Sequence, residues 1–328
     1  MEQNEILVTV ICTVYNHEQY LRKCLDGFIM QKTTFPFEVI VHDDASTDGS
    51  ADIIREYAEK YPNLIRPIYQ TVNQYSQHVL IVNTFILPIA RGKYVAYCEG
   101  DDYWCDENKL QMQYEAMENN PDCHFCVHKV RNISESGEPL GSTIPNFYVP
   151  SGVMDNETFL SYVLEGNPFQ TSSYFRRTED ARTYAAHIPE FARAADVGDV
   201  PMMLYSASLG DVVYIDKVCS CYRNQSLGSW SMRMGMDKER KIKHEKTMME
   251  VYRLFDEYTH HQYAQQVKHG IAKVEMDINC LSMERSAYAR LLLKKENRWM
   301  LKRYNRNGKI ALFLRGYAPW ALRFLQKN

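Results

Sequence analysis

Apolar residues in the first hundred positions alternate between short continuous runs and helically spaced stripes. The β-branched run at residues 6–12 is typical of a strand that is buried on both faces. The same patterns predict further strands at 37–42, 65–69 and 94–98, and helices at 18–29, at 51–60 and up to about residue 90. Strands that alternate with helices predict an α/β fold with a mostly parallel sheet and right-handed crossovers.

The remainder of the chain is mixed up to about residue 234 and helical beyond it. Strand patterns fall at 123–131 and 211–215, and a helical pattern falls at 157–164. From Met236 onward the sequence is rich in Lys, Glu, Met and Arg, and Gly270 is the residue most expected to interrupt a helix there. We therefore expect a catalytic domain at 1–234 and a basic helical C-terminal extension at 235–328.

Charge separates these two parts more sharply than hydropathy does. Residues 1–234 hold 18 Lys and Arg against 31 Asp and Glu, a balance of −13, whereas residues 235–328 hold 20 against 10, a balance of +10. Such a division is typical of a basic appendage that meets an anionic partner, or of a solvated helical face. With 45% hydrophobic residues, the 328-residue chain can bury a sizeable core, which excludes a disordered or collagen-like protein.

Nothing in the sequence predicts a membrane span or an export signal. The longest apolar stretch, at 79–90, contains Asn83, Thr84 and Pro88 and is shorter than the roughly 18–20 residues that a span requires. The first residues lack the basic and apolar regions of a signal peptide. Nine cysteines without regular spacing then indicate reduced thiols, and we expect a cytoplasmic protein.

Three acidic sites follow predicted strands or precede a predicted helix. Asp43 and Asp44 follow the second strand, Asp101 and Asp102 follow the fourth, and Asp199 precedes an apolar helical run. Helix capping would explain the first and the last of these sites equally well. Two adjacent aspartates beside Tyr103 and Trp104 favour a different explanation, because Mg²⁺ or Mn²⁺ takes oxygen ligands and bridges them to a diphosphate. Ligands of such sheets bind beyond the carboxyl ends of the strands.

The order of these motifs resembles that of a known enzyme family. The segments Thr13-Val14-Tyr15-Asn16, His42-Asp43-Asp44-Ala45-Ser46-Thr47-Asp48, Glu99-Gly100-Asp101-Asp102 and Gly198-Asp199 resemble those of family 2 glycosyltransferases with the GT-A fold, including bacterial cell-surface polysaccharide enzymes. The resemblance covers about residues 5–234. It implies the GT-A (nucleotide-diphospho-sugar transferase-like) fold and transfer of a sugar from a nucleotide donor, commonly a UDP-sugar, to an acceptor hydroxyl with inversion.

The resemblance also implies a role for individual residues. Uridine would contact Thr13, Tyr15 and Asp44, the ribose or diphosphate would contact Asp101, the Mn²⁺ or Mg²⁺ ion would be bound by Asp102, and the general base would be Asp199. These roles agree with physical chemistry, because a metal ion neutralises the leaving diphosphate and a carboxylate can deprotonate the acceptor.

Departures from the family pattern refine the expectation. Residues 74–78 read Gln-Tyr-Ser-Gln-His where some relatives have an arginine near the diphosphate, so the role of this segment is open. The Gln-x-x-Arg-Trp motif of processive synthases is absent, which favours transfer of a single sugar to a glycan or lipid-linked glycan. Arg223 and Trp230 line the acceptor site in one interpretation and anchor a loop in the other.

The end of the chain and two other functions complete the set of alternatives. Basic and apolar residues at 308–328 follow helical spacing, which predicts either peripheral contact with the cytoplasmic face of a membrane or docking on the catalytic domain. No nucleic-acid-binding module is recognisable. A sugar nucleotidyltransferase would normally have a glycine-rich loop after the first strand, where residues 13–17 contain no glycine. A non-catalytic membrane-surface assembly protein is the alternative outside the enzymes.

Overall fold

The structure, a computed structural model, describes residues 5–166, 169–224, 237–282, 284–303 and 306–317. The strands are β1 (Val8–Val14), β2 (Phe37–Asp43), β3 (Ile65–Tyr69), β4 (Tyr94–Tyr97), β5 (Tyr103–Trp104), β6 (Phe125–Ile133), β7 (Pro139–Ile144), β8 (Gly152–Met154), β9 (Phe175–Arg177) and β10 (Val212–Arg223). The helices are α1 (Glu18–Ile29), α2 (Ser50–Lys60), α3 (Lys109–Glu118), α4 (Asn156–Leu164), α5 (Thr178–Ala186), α6 (Glu190–Ala194), α7 (Asp199–Ser208), α8 (Lys238–Tyr258), α9 (Ala264–Leu281), α10 (Arg285–Leu293), α11 (Arg298–Arg303) and α12 (Arg306–Tyr317).

A single sheet of ten strands runs through the described part of the chain. Its order is β3-β2-β1-β4-β9-β6-β10-β5, with β7 paired to β6 and β8 paired to β10. Strands β3, β2, β1 and β4 are parallel, β9 is antiparallel to both of its neighbours, and β6 is parallel to β10. The predicted α/β fold with a mostly parallel sheet and C-terminal helices is confirmed, and β3 has the predicted bounds.

Side chains alternate between the two faces of β1 and give the molecule two core layers. Val10 and Cys12 pack with Leu25 of α1 and Ile54 of α2 on one face, whereas Ile11 belongs to the core of the other face. In β1, the residues Val10, Ile11 and Cys12 are almost completely buried, which is the reason that the strand has a continuous apolar sequence. Burial on both faces leaves only the strand ends free to carry polar side chains.

One predicted element, the helical segment up to about residue 90, is wrong. The chain forms only a 3₁₀ turn at Tyr75–Gln77 and one π-helical turn at Val82–Ile86. His78 adopts a left-handed conformation with φ of 60°, which ends this first short turn. A polar contact of residues 74 and 75, described below, holds this segment against the sheet edge.

The C-terminal helices share the core of the catalytic half. Met248, Val251 and Phe255 of α8 and Val267 of α9 pack in the same apolar cluster as β4, β6, α4 and α7. The predicted domain boundary after residue 234 itself lies outside the described residues. Helices α10 to α12 form a smaller cluster around Met276 of α9. None of the helices in the described ranges is long and apolar enough to cross a membrane.

The prediction that Gly270 breaks a helix is wrong, because α9 continues through it from Ala264 to Leu281. A Cβ atom at this position would lie 2.8 Å from the carbonyl oxygen of Leu164, the last residue of α4. The glycine therefore allows the two helices to approach each other closely.

Candidate active site

Two loops at the carboxyl edge of the sheet are fastened to each other by hydrogen bonds. The backbone N–H of Asn16, in the β1–α1 loop, donates to Ser46 Oγ over 2.9 Å, and the N–H of Thr47 donates to Asn16 Oδ1 over 2.8 Å. Asn16 and Ala45 both have left-handed backbones, with φ of 56° and 61°. This arrangement leaves Tyr15 45% exposed at the edge of the sheet, where a ring can stack on a base.

Asp44, which the resemblance assigns to the nucleoside, is buried and already accepts two hydrogen bonds. Its carboxylate accepts the backbone N–H groups of Gln74 over 2.7 Å and of Tyr75 over 3.0 Å. Its own N–H donates to the carbonyl of Val14, which fixes it beside the end of β1. Asp44 therefore folds the segment at 74–78 over the strand ends. Thr13 lies half-buried on β1 near this point.

The third acidic loop reaches the same edge because Gly100 permits a close approach. The N–H of Gly100 donates to the carbonyl of Thr13 over 3.0 Å. A Cβ atom on Gly100 would lie 2.8 Å from His17 Nδ1 and 3.0 Å from Val14 Cγ2, so a larger residue would push the loop away. The turn at 99–102 is thereby brought against the end of β1.

Asp102 is an internal anchor of this turn. It is 1% exposed, and its two carboxylate oxygens accept hydrogen bonds from Gln170 Nε2 and from the backbone N–H of Arg223, each over 2.8 Å. Burial, followed by the charges of Asp101 and Glu99, raises the pKa of Asp102 well above its usual range. Because both oxygens are engaged within the protein, the geometry does not favour the predicted role of Asp102 as metal ligand.

The side chain of Arg223 completes the anchor. Its Nε donates to the carbonyl oxygen of Asp101 over 3.0 Å, and its Nη1 donates to the carbonyls of Ser134 and Glu135 in the β6–β7 turn. The guanidinium carbon lies 4.2 Å from the ring centroid of Tyr20. Arg223 is 4% exposed, so its side chain holds the turn together rather than lining an open acceptor site. Trp230, its predicted companion, lies outside the described residues.

Three carboxylates act on one another at this edge, and we call Glu99, Asp101 and Asp199 the facing carboxylates. The side chain of Glu99 reaches the surface, but the surrounding protein, then the charges of Asp101 and Asp199, raise its pKa to about 8. Burial and the charges of Asp199 and Glu99 also raise the pKa of Tyr174 well above its usual range. These mutual effects show that Asp199 lies near enough to the acidic turn to act on Glu99, although the two are about a hundred residues apart in the chain.

Asp199 is the first residue of α7 and is half-buried. Burial raises its pKa, and hydrogen bonds from nearby backbone N–H groups, including a 2.8 Å bond from Val200, partly offset that effect. A carboxylate in this position is ionised at neutral pH only at a cost, which makes it a better proton acceptor.

The residues suit a divalent cation only if a ligand supplies further oxygens. Within the described ranges, no three His, Cys, Asp or Glu side chains are arranged to bind a metal by themselves. Mg²⁺ and similar ions are commonly held by one or two carboxylates together with substrate phosphates. Asp101, half-buried and next to Glu99, fits that description.

Sequence reasoning did not find Gln170 as a partner of the acidic turn. A neutral amide 68 residues away from Asp102 has no charge pattern or spacing that would reveal the contact. The hydrogen bond from the backbone N–H of Arg223 could not be predicted from the sequence either, because every residue except proline carries such a group.

Comparison with known proteins gives a consistent result. A sequence profile described as glycosyl transferase family 2 matches residues 9–180. The uncharacterized protein Rv1520 of Mycobacterium tuberculosis is 35% identical over 225 residues, which are 68% of this chain. The match spans 60% of the length of that relative.

Solved structures confirm the predicted fold class. S. aureus TarS 1-349 in complex with UDP-GlcNAc has a TM-score of 0.52 at 15% identity, covering 92% of this chain and 93% of that chain. The mannosyltransferase PcManGT of Pyrobaculum calidifontis, in complex with GDP-Man and Mn²⁺, has a TM-score of 0.50 at 16% identity, covering 98% and 87%.

Proposed function

The chain belongs to glycosyl transferase family 2, and we propose that it is a glycosyltransferase that moves one sugar from a nucleotide-sugar to an acceptor hydroxyl with inversion. The facing carboxylates support this proposal, because the charge of Asp199, the proposed base, acts on Glu99 in the acidic turn at the carboxyl edge of the sheet. A single displacement needs this pairing: one side holds the leaving diphosphate, and the other deprotonates the incoming hydroxyl.

The nucleoside is proposed to lie at the edge formed by the first two loops. Tyr15 offers an exposed ring for stacking on the base, and Thr13 and Asp44 lie at the ends of β1 and β2. We propose a UDP-sugar as donor, because TarS, whose fold this chain shares, binds UDP-GlcNAc. Asp44 has its two carboxylate oxygens turned to residues 74 and 75, so its contact with uracil would use a remaining lone pair.

A Mn²⁺ or Mg²⁺ ion is proposed to be held by Asp101, with Glu99 beside it. When bound, the ion would neutralise the negative charge that develops on the leaving diphosphate. Asp102 contributes by keeping the turn in place through Gln170 and Arg223. The negative charge of Asp101, which helps to raise the pKa of Glu99, favours a cation at this point.

Asp199 is proposed as the general base. Its carboxylate would accept the proton of the acceptor hydroxyl as that oxygen attacks the anomeric carbon on the face opposite the diphosphate. The acceptor is proposed to be a growing glycan or lipid-linked glycan of a cell-surface polysaccharide, as the family resemblance implies.

Calorimetric titration of UDP tests the donor half of this proposal. We expect binding with Mn²⁺ that is lost with EDTA and in Asp101→Asn, while Asp199→Asn binds UDP normally but does not turn over UDP-sugars. Asp199→Asn is the matched control, because it removes one of the facing carboxylates without touching the acidic turn. If none of UDP, GDP, CMP and dTDP binds, the proposal is overturned in favour of a non-catalytic assembly protein.

We also propose that the C-terminal end contacts a membrane surface peripherally. In the described part of α12, Leu312 packs on Tyr288, whereas Ile310 and Phe313 remain 40% and 37% exposed. Exposed apolar residues beside Lys309 suit an anionic lipid surface. Removal of residues 308–328 should reduce co-sedimentation with vesicles that contain anionic lipid; unchanged co-sedimentation would refute this contact.

A further inference from the structure

A histidine of the C-terminal helices is hydrogen-bonded to the loop that carries the proposed base. His244 on α8 has its Nδ1 atom 2.8 Å from Oδ1 and 3.0 Å from Oδ2 of Asp196. Asp196 lies in the loop between α6 and α7, three residues before Asp199. The His244 side chain is only 14% exposed, whereas that of Asp196 is 40% exposed, so the contact lies at the edge of the protein surface.

The helix that carries His244 is itself fixed in the core. Met248, one turn further along α8, is 3% exposed, and Phe255 is completely buried. The ring of Phe255 meets the ring of Phe191 on α6 edge to face, with centroids 5.4 Å apart. Residues four apart share a helix face, so packing of Met248 directs His244 toward the same side of the molecule. His244 is therefore fixed in two ways: its helix is packed in the core, and its imidazole is hydrogen-bonded to Asp196.

Negative charge surrounds this imidazole. Asp196 and Asp199 face it from the α6–α7 loop and the start of α7, and Glu245 lies next to it on α8. The groups that act on Glu245 in turn are Lys241 on α8 and Lys273 and Asp277 on α9. Burial raises the pKa of Asp199, backbone hydrogen bonds lower it, and His244 then lowers it further. Asp196 raises the same pKa, and the effect of His244 opposes that of Asp196.

We propose that His244 is a positioning residue for sugar transfer, which holds the 195–198 loop through Asp196 and thereby presents Asp199 in its ionised form to the acceptor. This inference rests on the proposed role of Asp199 as base. It extends the active site into α8, a helix beyond the residues that the family profile matches. His244 transfers no proton to substrate; it sets the place and charge state of the group that does.

Two variants separate the two parts of this role. His244→Gln retains a side-chain donor that reaches Asp196 but carries no charge, whereas His244→Ala loses both the contact and the charge. His261→Gln is the matched control, because His261 also accepts or donates through Nδ1 to an aspartate, Asp256, at 2.8 Å and lies beyond the end of α8. Circular dichroism and thermal unfolding would establish that each variant is folded.

The kinetic experiment measures release of UDP from UDP-GlcNAc and UDP-glucose across pH, with Mn²⁺ present and water as acceptor. We expect His244→Ala to lower kcat about tenfold or more with little change in KM, since loss of a group that orients a catalytic base acts on turnover. His244→Gln should regain part of kcat, but the acidic limb of its profile should lie at higher pH than in the wild type. Profiles identical to that of His261→Gln would overturn the inference.

Amide hydrogen exchange gives a second readout that needs no turnover. Peptides that cover residues 191–204 should exchange faster in His244→Ala than in the wild type, and those that cover β1 should not change. Unchanged exchange at 195–199 would refute the positioning role whatever the activity. If instead the wild type binds no UDP and releases none, the proposed function fails, and the exchange result still decides whether His244 holds the loop.

Discussion

The backbone N–H of Arg223 donates a 2.8 Å hydrogen bond to the buried carboxylate of Asp102, 121 residues earlier in the chain. The bond joins the end of β10 to the turn after β4, on which Asp101 is carried. Gln170 supplies the second donor from the segment before β9. The adjacent aspartates thus differ in their surroundings, because both carboxylate oxygens of Asp102 are bonded within the protein, whereas Asp101 is half-buried beside it.

Asp102→Ala should reduce the stability of the protein as well as its ligand binding. The substitution leaves Gln170 Nε2 and the N–H of Arg223 buried without their acceptor, at a cost of about 2 kcal/mol or more in the free energy of unfolding. Urea denaturation would measure it. Asp101→Asn is the control and should unfold like the wild type while losing metal-dependent UDP binding. If instead Asp102→Ala lost metal-dependent UDP binding but unfolded like the wild type, and Asp101→Asn kept that binding, Asp102 would be the metal ligand, as the family resemblance implies.

Glu38, far from the active site, should contribute stability that depends on pH. It is completely buried and accepts hydrogen bonds from Arg66 Nη1 over 2.7 Å and from Arg91 Nε over 2.8 Å. Burial alone would raise its pKa, but the bonds from both arginines outweigh burial and lower it. Its stabilising contribution is therefore present above its ordinary value of 4.5 and is lost as the pH falls below it.

Glu38→Gln should accordingly lower the free energy of unfolding at pH 7 by about 2–3 kcal/mol, and the difference from wild type should shrink toward pH 3. Glu56→Gln, which removes an exposed partner of Arg22, should leave stability nearly unchanged. A difference for Glu38→Gln that stays constant from pH 7 to pH 3 would contradict the assignment.

Lys109 should also make stability rise with pH, but in a more alkaline window. Its Nζ atom lies 3.7 Å from the ring centroid of Trp104, has no hydrogen-bond partner among the described residues and is buried, which lowers its pKa to about 7. Between that value and its ordinary 10.5, the unfolded chain holds a proton that the folded protein lacks. Stability should therefore rise with pH in this window, by about 1.4 kcal/mol per unit.

Lys109→Met should remove this slope and stabilise the protein most at and below pH 7. Urea unfolding of variant and wild type at pH 6.5, 8 and 9.5 would show it, since slopes from other groups cancel in the comparison. Equal stabilisation at all three values would mean that the amine keeps its charge in the folded protein across this range, so that its pKa is not lowered.

Gly270→Ala should destabilise the protein although alanine is the better helix former. A new Cβ atom would lie 2.8 Å from the carbonyl oxygen and 2.9 Å from Cβ of Leu164, so α9 must move away from α4. The intrinsic preference for alanine, about 1 kcal/mol, would by itself raise stability. A lowered midpoint of thermal unfolding, with Lys268→Ala on the same helix near wild type, would confirm that packing decides.

Sequence predicted the parallel half of the fold well because those strands are buried on both faces. Strand β3 has its predicted bounds, and β1 and β2 differ from prediction by one or two residues at their ends. The wrong elements have tertiary causes: the Asp44 carboxylate takes the N–H groups of residues 74 and 75, and Leu164 requires a glycine at 270. Neither cause is visible in local periodicity.

For the candidate site, the sequence predicted the acidic residues and the strand ends that carry them, but it could not distinguish the roles of adjacent acidic residues. Asp101 and Asp102 are the same residue type, and only the donors that surround Asp102 in space identify it as the anchor of the turn. His244 was likewise hidden among the charged residues of a helix that reads as solvated.

The shared core has a consequence for biosynthesis. A chain leaves the ribosome amino end first, so β1 to β4 and their helices can pair while the rest is still being made. The apolar face that includes Phe191, Met203 and Leu204 remains uncovered until α8 and α9 have been translated and have packed on it. Completion of this core is thus tied to α8 and α9, and ribosome-bound chains released before about residue 275 should be substrates for chaperones and proteases.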